Sequence, residues 1–195
     1  GGGVVLRIGG FVAGGDDDRP WVVVGLGNPG PEYAGNCHNV GFQVVETLAG
    51  PGRFKAHKRA RALSWEGQVD GNRAVLVKPT TYMNESGQAV ASLCSFFQVS
   101  PDRVIAVHDE LDLPFGSMRL KFGGGDNGHN GLKSLRRSLG TGDFYRIAGD
   151  KARAIDGPTS GTIPPYNKAV VLGPERPREV AERVQDPVAQ PPRAH

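Results

Sequence analysis

The chain has 195 residues, a formal net charge of +3 and a pI near 9.0, the size of one domain with appendages and too evenly charged to announce a polyanion partner by composition alone. Two cysteines, Cys37 and Cys94, exclude a disulfide framework and make a reducing cytoplasm the default compartment. No apolar run approaches the ~20 residues that span a bilayer and no charged-then-apolar signal segment starts the chain, so membrane, collagen-like and cysteine-stapled classes are set aside.

Residues 1–20 are glycine-rich and end in Asp16-Asp17-Asp18-Arg19-Pro20, a composition that predicts a flexible leader. The domain is expected over 21–195. Residues 21–26 (WVVVGL) suit a strand buried on both faces. Val40, Val44, Val45 and Leu48 mark a helix face, and residues 73–78 (RAVLVK) a second strand ended by Pro79. Val90, Leu93, Cys94 and Phe97 recur at i, i+3, i+4, i+7, which predicts an amphipathic helix. Residues 103–107 (RVIAV) read as a third buried strand. Met118, Leu120 and Phe122 alternate with Arg119 and Lys121, the pattern of a strand with one polar face. Residues 132–139 form a short basic helix, followed by Tyr145-Arg146-Ile147. Strands alternating with helices predict a three-layer α/β domain, a twisted, mixed and mostly parallel sheet flanked by helices. Beyond Ala148 the pattern dissolves; residues 149–195 hold eight of the fifteen prolines, and 175–185 offer one more helix.

Several segments carry chemistry-bearing residues. Gly25-Leu26-Gly27-Asn28-Pro29-Gly30 matches the glycine pattern of a dinucleotide turn, but its prolines disfavour an immediate helix and no acidic residue ends a second strand about 20 residues on. A tight turn using glycine's positive φ is the plainer reading, with Asn28 at a strand's carboxyl end, where α/β sites are built. His38 stands where the next helix should start, and the positive dipole end there keeps an imidazole neutral and basic; a capping or surface histidine is the alternative. Asp109 follows the third strand and can hold a histidine's N–H, or merely cap a turn. Its neighbours His108, Glu110 and Asp112 lack convincing metal-ligand spacing. Asn84 is either a helix N-cap or an amide aimed at a substrate carbonyl. The glycine-rich stretch 123–131, with His129 and Asn130, lacks the Walker pattern yet can offer backbone N–H groups to a phosphate or carbonyl. Basic residues gather in 53–61 and at Arg119, Lys121, Lys133, Arg136 and Arg137; both clusters are expected to border the same loops as a phosphate-binding surface.

Together, residues 24–30 (VGLGNPG), 38–42 (HNVGF), 82–87 (YMNESG), 108–114 (HDELDLP) and 123–132 resemble the bacterial-type peptidyl-tRNA hydrolases in order and spacing. The resemblance spans roughly residues 21–147. It implies an enzyme that cleaves the ester between a peptide and the 3′ end of tRNA, recycling tRNA from aborted translation, with no metal and no cofactor. By that resemblance His38 is the general base that activates water, and Asp109 orients and polarises it. Asn28, Asn84 and Asn130 position the peptidyl-ester end and the water, Met83 packs beside the catalytic ring, and Tyr33 lines the cleft. His129 and Lys133 fall within the substrate-binding region, and Arg119 and Lys121 meet tRNA phosphate. Two features depart from the family pattern. Cys37 replaces the usual Arg before the histidine, and Ala148-Gly149-Asp150-Lys151 replaces a second Arg and a Gly-Ile-Gly strand. These departures keep open a non-catalytic RNA-binding relative of the same fold, with a phosphate-clamping Arg and one strand of the sheet in question. A monomer is the simplest assembly, since no large apolar surface stripe is evident.

Overall fold

The structure is a computed structural model that describes residues 5–8, 19–29, 40–69, 72–110, 118–150, 168–172 and 178–181. In chain order the elements are β1 (Val5–Ile8), β2 (Trp21–Gly25), α1 (Val40–Ala49), β3 (Lys55–His57), β4 (Ala62–Val69), β5 (Asn72–Pro79), a 3₁₀ turn (Met83–Glu85), α2 (Ser86–Phe97), β6 (Val104–Glu110), β7 (Met118–Phe122), α3 (Asn130–Leu139), β8 (Tyr145–Asp150), β9 (Lys168–Leu172) and β10 (Arg178–Ala181). Seven strands form one sheet in the order β3-β4-β5-β2-β6-β8-β7. The centre, β5-β2-β6-β8, is parallel, and the edges are antiparallel.

Alternation explains the layers. Trp21 and Val23 of β2, with Ile105 and Val107 of β6, pack on the Val40, Val44 and Val45 face of α1. Val22 and Val24, with Val104 and Ala106, pack on Ala89, Val90 and Leu93 of α2 and Leu132 and Leu135 of α3. Successive side chains of a strand point to opposite faces, so strands covered on both sides must be apolar throughout, as β2 and β6 are. This is the three-layer α/β domain that the alternation of elements predicts.

The carboxyl ends of the central strands are drawn tight by glycine. A Cβ on Gly25 would stand 2.3 Å from the Gly41 carbonyl oxygen, and one on Gly41 2.5 Å from both Leu26 N and Val107 O. Gly25 therefore serves the close approach of α1 to β2 and β6; it does not have the positive φ that a tight turn would use. A third close approach joins the helices. A Cβ on Gly87 would meet Ser134 O at 2.0 Å, while the Gly87 N–H donates to Ser134 Oγ at 2.8 Å. These contacts dock the first turn of α2, and the 3₁₀ turn ahead of it, on α3.

Three expectations change. The basic run 53–61 and the segment behind it fold as a β3–β4 hairpin, which the sequence pattern did not single out because its half-buried faces mix Ala, Ser and Trp with charged residues. The sheet strand does not stop near Ala148: β8 continues to Asp150, paired with β6 through Gly149↔Asp109 and Asp150↔Glu110. Residues 178–181, inside the segment expected as a helix, form β10, antiparallel to β9; ladder bonds to a neighbouring strand override a weak helical preference. β9 also pairs in parallel with β1, which lies within the stretch read as a leader.

Gly41 gives a signed test. Alanine would gain about 1 kcal/mol of helix propensity there but must push backbone atoms of two strands apart, a cost of about 1–3 kcal/mol or more. Gly41→Ala should therefore lower the urea unfolding midpoint; a raised midpoint would show that the helix and strands have room to separate.

Candidate active site

Segments far apart in sequence meet beyond the carboxyl ends of β2 and β6. Gly131 marks the crossing point: a Cβ there would stand 2.8 Å from Met83 Sδ, 3.0 Å from His129 Cε1 and 3.0 Å from Leu26 Cδ1. Leu26 itself extends the β2–β6 ladder, its N–H donating to Val107 O at 2.9 Å. Asn28 leaves that strand end, and its Oδ1 accepts the Met83 backbone N–H at 2.8 Å. Because the oxygen is committed to Met83, the other end of the amide is the NH₂ donor.

Asp109 lies one residue before the end of β6 and is 5% exposed. Its Oδ1 lies 2.9 Å from His129 Nε2. The tautomer of that ring follows from its second nitrogen. His129 is the N-cap of α3, and Nδ1 accepts the N–H groups of Gly131 at 3.1 Å and Leu132 at 3.3 Å. An acceptor nitrogen carries no proton, so the ring is neutral and its N–H, on Nε2, donates to Asp109. One imidazole thus caps a helix and holds a buried carboxylate.

His108 sits behind this pair. Its Nδ1–H donates to the Asp109 carbonyl at 2.8 Å, and its ring meets that of His129 edge-on at 5.0 Å between centroids. Burial above all pushes its pKa down to about 4 against the opposing pull of Asp109. His108 is therefore a neutral spacer at ordinary pH.

The structure brings together Asn28, Met83, Asp109 and His129 from the expected set. Asn84 and Asn130 flank Met83 and His129 in sequence and are exposed. Asn84 is not the N-cap of α2: it lies inside the 3₁₀ turn, the cap position is Glu85, and no side chain caps it. The turn's Asn84 carbonyl accepts from Arg137 of α3 instead, at 3.4 Å. Arg119 and Lys121 are exposed on β7, and Lys133 is exposed on α3. Tyr33, Cys37 and His38 lie outside the described residues, as does Asp112.

The strands that carry the two basic clusters lie on opposite edges of the sheet, yet one residue of each meets the same motif segment: Arg61 bonds Gln88 of α2 at 2.6 Å, and Arg137 bonds the Asn84 carbonyl just ahead of that helix. The β3–β4 hairpin with residues 53–61 forms one edge of the sheet, and β7 the other, six strand spacings or about 29 Å apart. Cys94 is buried on α2, where burial pushes its thiol up to about 12, an inert side chain. Among the described residues no group of three or more His, Cys, Asp and Glu is placed to hold a metal ion, and no helix is long and apolar enough to cross a membrane.

Residues 22–149 match the family model described as peptidyl-tRNA hydrolase. The chain belongs to the peptidyl-tRNA hydrolase family. A peptidyl-tRNA hydrolase of Frankia alni is 57% identical over 133 residues, 67% of each chain. That of Corynebacterium efficiens is 46% identical over 157 residues, 78% of this chain and 86% of its own. The crystal structure of the peptidyl-tRNA hydrolase from Acinetobacter baumannii superposes with a TM-score of 0.65 at 36% identity, over 76% of this chain and 80% of that one.

Within this peptidyl-tRNA hydrolase fold, two residues emerge that motif reasoning left without a specific role. The pairing of His129 with Asp109 was signalled only by a histidine standing immediately before an apolar-periodic helix, a capping position. Arg146 was signalled by a charge inside the strand run Phe144-Tyr145-Arg146-Ile147; it is 3% exposed and donates to the carbonyls of Gly125 and of Gly142.

His108 links this site to pH. In the folded chain it stays neutral down to about pH 4, whereas in the unfolded chain it protonates near pH 6.5. Between those values the unfolded state binds the extra proton, so stability falls as pH drops, by about 3 kcal/mol once below both. Urea midpoints measured from pH 7 to pH 4 should decline, and His108→Asn should flatten the decline; an equally steep curve in the variant would assign it to other groups.

Proposed function

We propose that this chain hydrolyses the ester joining the peptide to the 3′ oxygen of tRNA, with His38 as general base, Asp109 as its orienting carboxylate, and the Asn28, Asn84 and Asn130 amides as substrate and water positioners. The convergence of Asn28, Met83, Asp109 and His129 on the ends of two parallel strands carries the reading. Asp109 shares strand parity with Ile105 and Val107, which face α1, and His38 immediately precedes α1 in the chain. Covalent geometry keeps the His38 Cα within about 11 Å of Gly41, which itself touches Val107 O. That supports His38 as the base that Asp109 orients.

The chemistry follows from those roles. The unprotonated imidazole nitrogen of His38 takes a proton from water as the water oxygen bonds to the ester carbonyl carbon. The carbonyl oxygen gains negative charge, which an amide N–H donor such as Asn28 Nδ2 stabilises; its orientation is preset by the Met83 bond. Collapse breaks the bond to the ribose oxygen, which takes back the proton from the imidazolium. An alkoxide leaves far more readily than an amine anion, so one base worth ~10²–10⁴-fold and a few fixed donors suffice.

The resemblance assigns Tyr33 to the cleft wall, Met83 to packing beside the catalytic ring, Lys133 to the substrate-binding region, and Arg119 and Lys121 to tRNA phosphate. The exposed large apolar side chains among the described residues, Tyr82, Phe96 and Phe122, belong to three different segments, which supports a monomer, and the two-cysteine composition supports action in a reducing cytoplasm.

Peptide release from N-acetyl-aminoacyl-tRNA tests the assignment. His38→Ala should lower the rate about 10²–10⁴-fold, and the wild-type rate should rise with pH as the base loses its proton. Asn28→Asp retains the acceptor for Met83 but replaces the NH₂ donor with a second carboxylate oxygen; the rate should fall about 10²–10³-fold in a folded protein. Equal rates for wild type and His38→Ala would remove the catalytic reading and leave RNA binding alone.

A further inference from the structure

Lys121 and Arg146 are directly opposite each other on β7 and β8. Residues opposite in an antiparallel pair project from the same face, and like charges so placed repel. Phe144, two residues before Arg146 on the same parity, packs with α3, so this is the α3 face of the sheet. Arg136 of α3 reaches the same place: its guanidinium Nε is 3.7 Å from where a Gly142 Cβ would stand, and Arg146 Nη2 is 3.5 Å from that point. A Cβ on Gly124 would be 2.7 Å from Lys121 Nζ. Three cations therefore ring the two glycine-bearing loops 123–125 and 140–143. Among the described residues none of the three forms an ion pair.

Arg146 is the most constrained of them. It is buried with its terminal nitrogens on the carbonyls of Gly125 and Gly142, its guanidinium 4.6 Å over the Phe144 ring, and its Nε without a partner. Burial, and then the Arg136 charge, weaken its hold on its proton, with only Asp126 opposing. A guanidinium remains charged even so. Positive φ at Gly123 and Gly124 lets the first loop fold down onto it. A peptide plane whose carbonyl points at Arg146 turns its N–H the opposite way, so the Gly125–Asp126 amide donor faces away from the buried charge.

Between the two loops lies an open cleft of about 550 Å³ bordered by Arg136 and Asp143. We propose that this cleft is a subsite for a backbone phosphate of the RNA substrate, with Arg136 as its exposed contact and Arg146 as the buried charge beneath it. The proposal rests on the hydrolase reading above and deepens it. Seven helical residues separate Arg136 from His129, a rise of about 10 Å. An RNA strand whose 3′ end lies at Asp109 thus reaches the cleft about three nucleotides further on, at the ~3.4 Å rise of stacked bases along one strand. A phosphate there relieves the mutual repulsion of Lys121, Arg136 and Arg146. Asp143, at the rim, opposes it.

Binding of deacylated tRNA, followed by fluorescence anisotropy between 50 and 200 mM salt, reads the contact. Losing one phosphate contact should flatten the plot of log affinity against log salt by about 0.7–0.9 and weaken binding about eightfold at 0.1 M salt. Arg136→Gln should show both changes, and Arg136→Lys should restore most of the slope. Asp143→Asn should bind more tightly than wild type. A wild-type slope in Arg136→Gln, or unaltered or weaker binding in Asp143→Asn, would overturn the subsite. A wild-type protein that binds tRNA but leaves peptidyl-tRNA uncleaved would instead sink the hydrolase reading, while the slopes still judge the cleft.

Discussion

Burying a carboxylate at a strand end is expensive unless donors meet it, and in this molecule one donor is a ring that is itself held rigidly. The Asp109–His129 bond couples two backbone features that the fold produces separately: the end of a parallel strand and the start of a helix on the far side of a glycine-rich loop. His129 cannot rotate to suit Asp109 without abandoning the N–H groups of Gly131 and Leu132, which would then go unmet at a helix terminus. The carboxylate is consequently fixed in position by the helix cap, and the helix entry by the carboxylate. A group proposed to orient a catalytic base benefits from that rigidity, because a misplacement of even 1 Å is costly in rate.

The glycines around this junction act through space more than through conformational freedom. Gly25 and Gly41 let α1 sit against the ends of β2 and β6, and Gly131 leaves just enough room for Met83, His129 and Leu26 to share one spot. The first of these positions looks, in one dimension, like a nucleotide-binding turn. The resemblance is to the geometry of close packing at a strand end, a need that a dinucleotide fold and a hydrolase share. The difference lies in the residues just past the strand. Here the strand end delivers Asn28, an amide locked by Met83.

Charge is distributed with a similar economy. A net charge of +3 conceals a local surplus on the α3 face of β7 and β8, while the basic run of the β3–β4 hairpin sits on the opposite edge. Repulsion among Lys121, Arg136 and Arg146 is tolerated because Arg146 is tied to two carbonyls and an aromatic face. The same ties hold the glycine loop that leads to His129, so the charge cluster and the Asp109–His129 pair rest on one loop.

Much of this was legible along the chain. The apolar runs of β2 and β6, the periodicity of α2 and the polar–apolar alternation of β7 announce a doubly covered sheet, since each pattern is a local consequence of side-chain geometry. The motif residues Asn28, Met83, Asp109 and His129 were each visible as chemistry-bearing for the same reason. Tertiary structure alone decided who meets whom: that Asp109 pairs with the cap of α3, that Asn84 leaves capping to others, that Arg146 lies under the glycine loops, and that two basic runs part to opposite edges. Those outcomes depend on strand order and on the close approach of distant backbones, and a local sequence pattern carries neither.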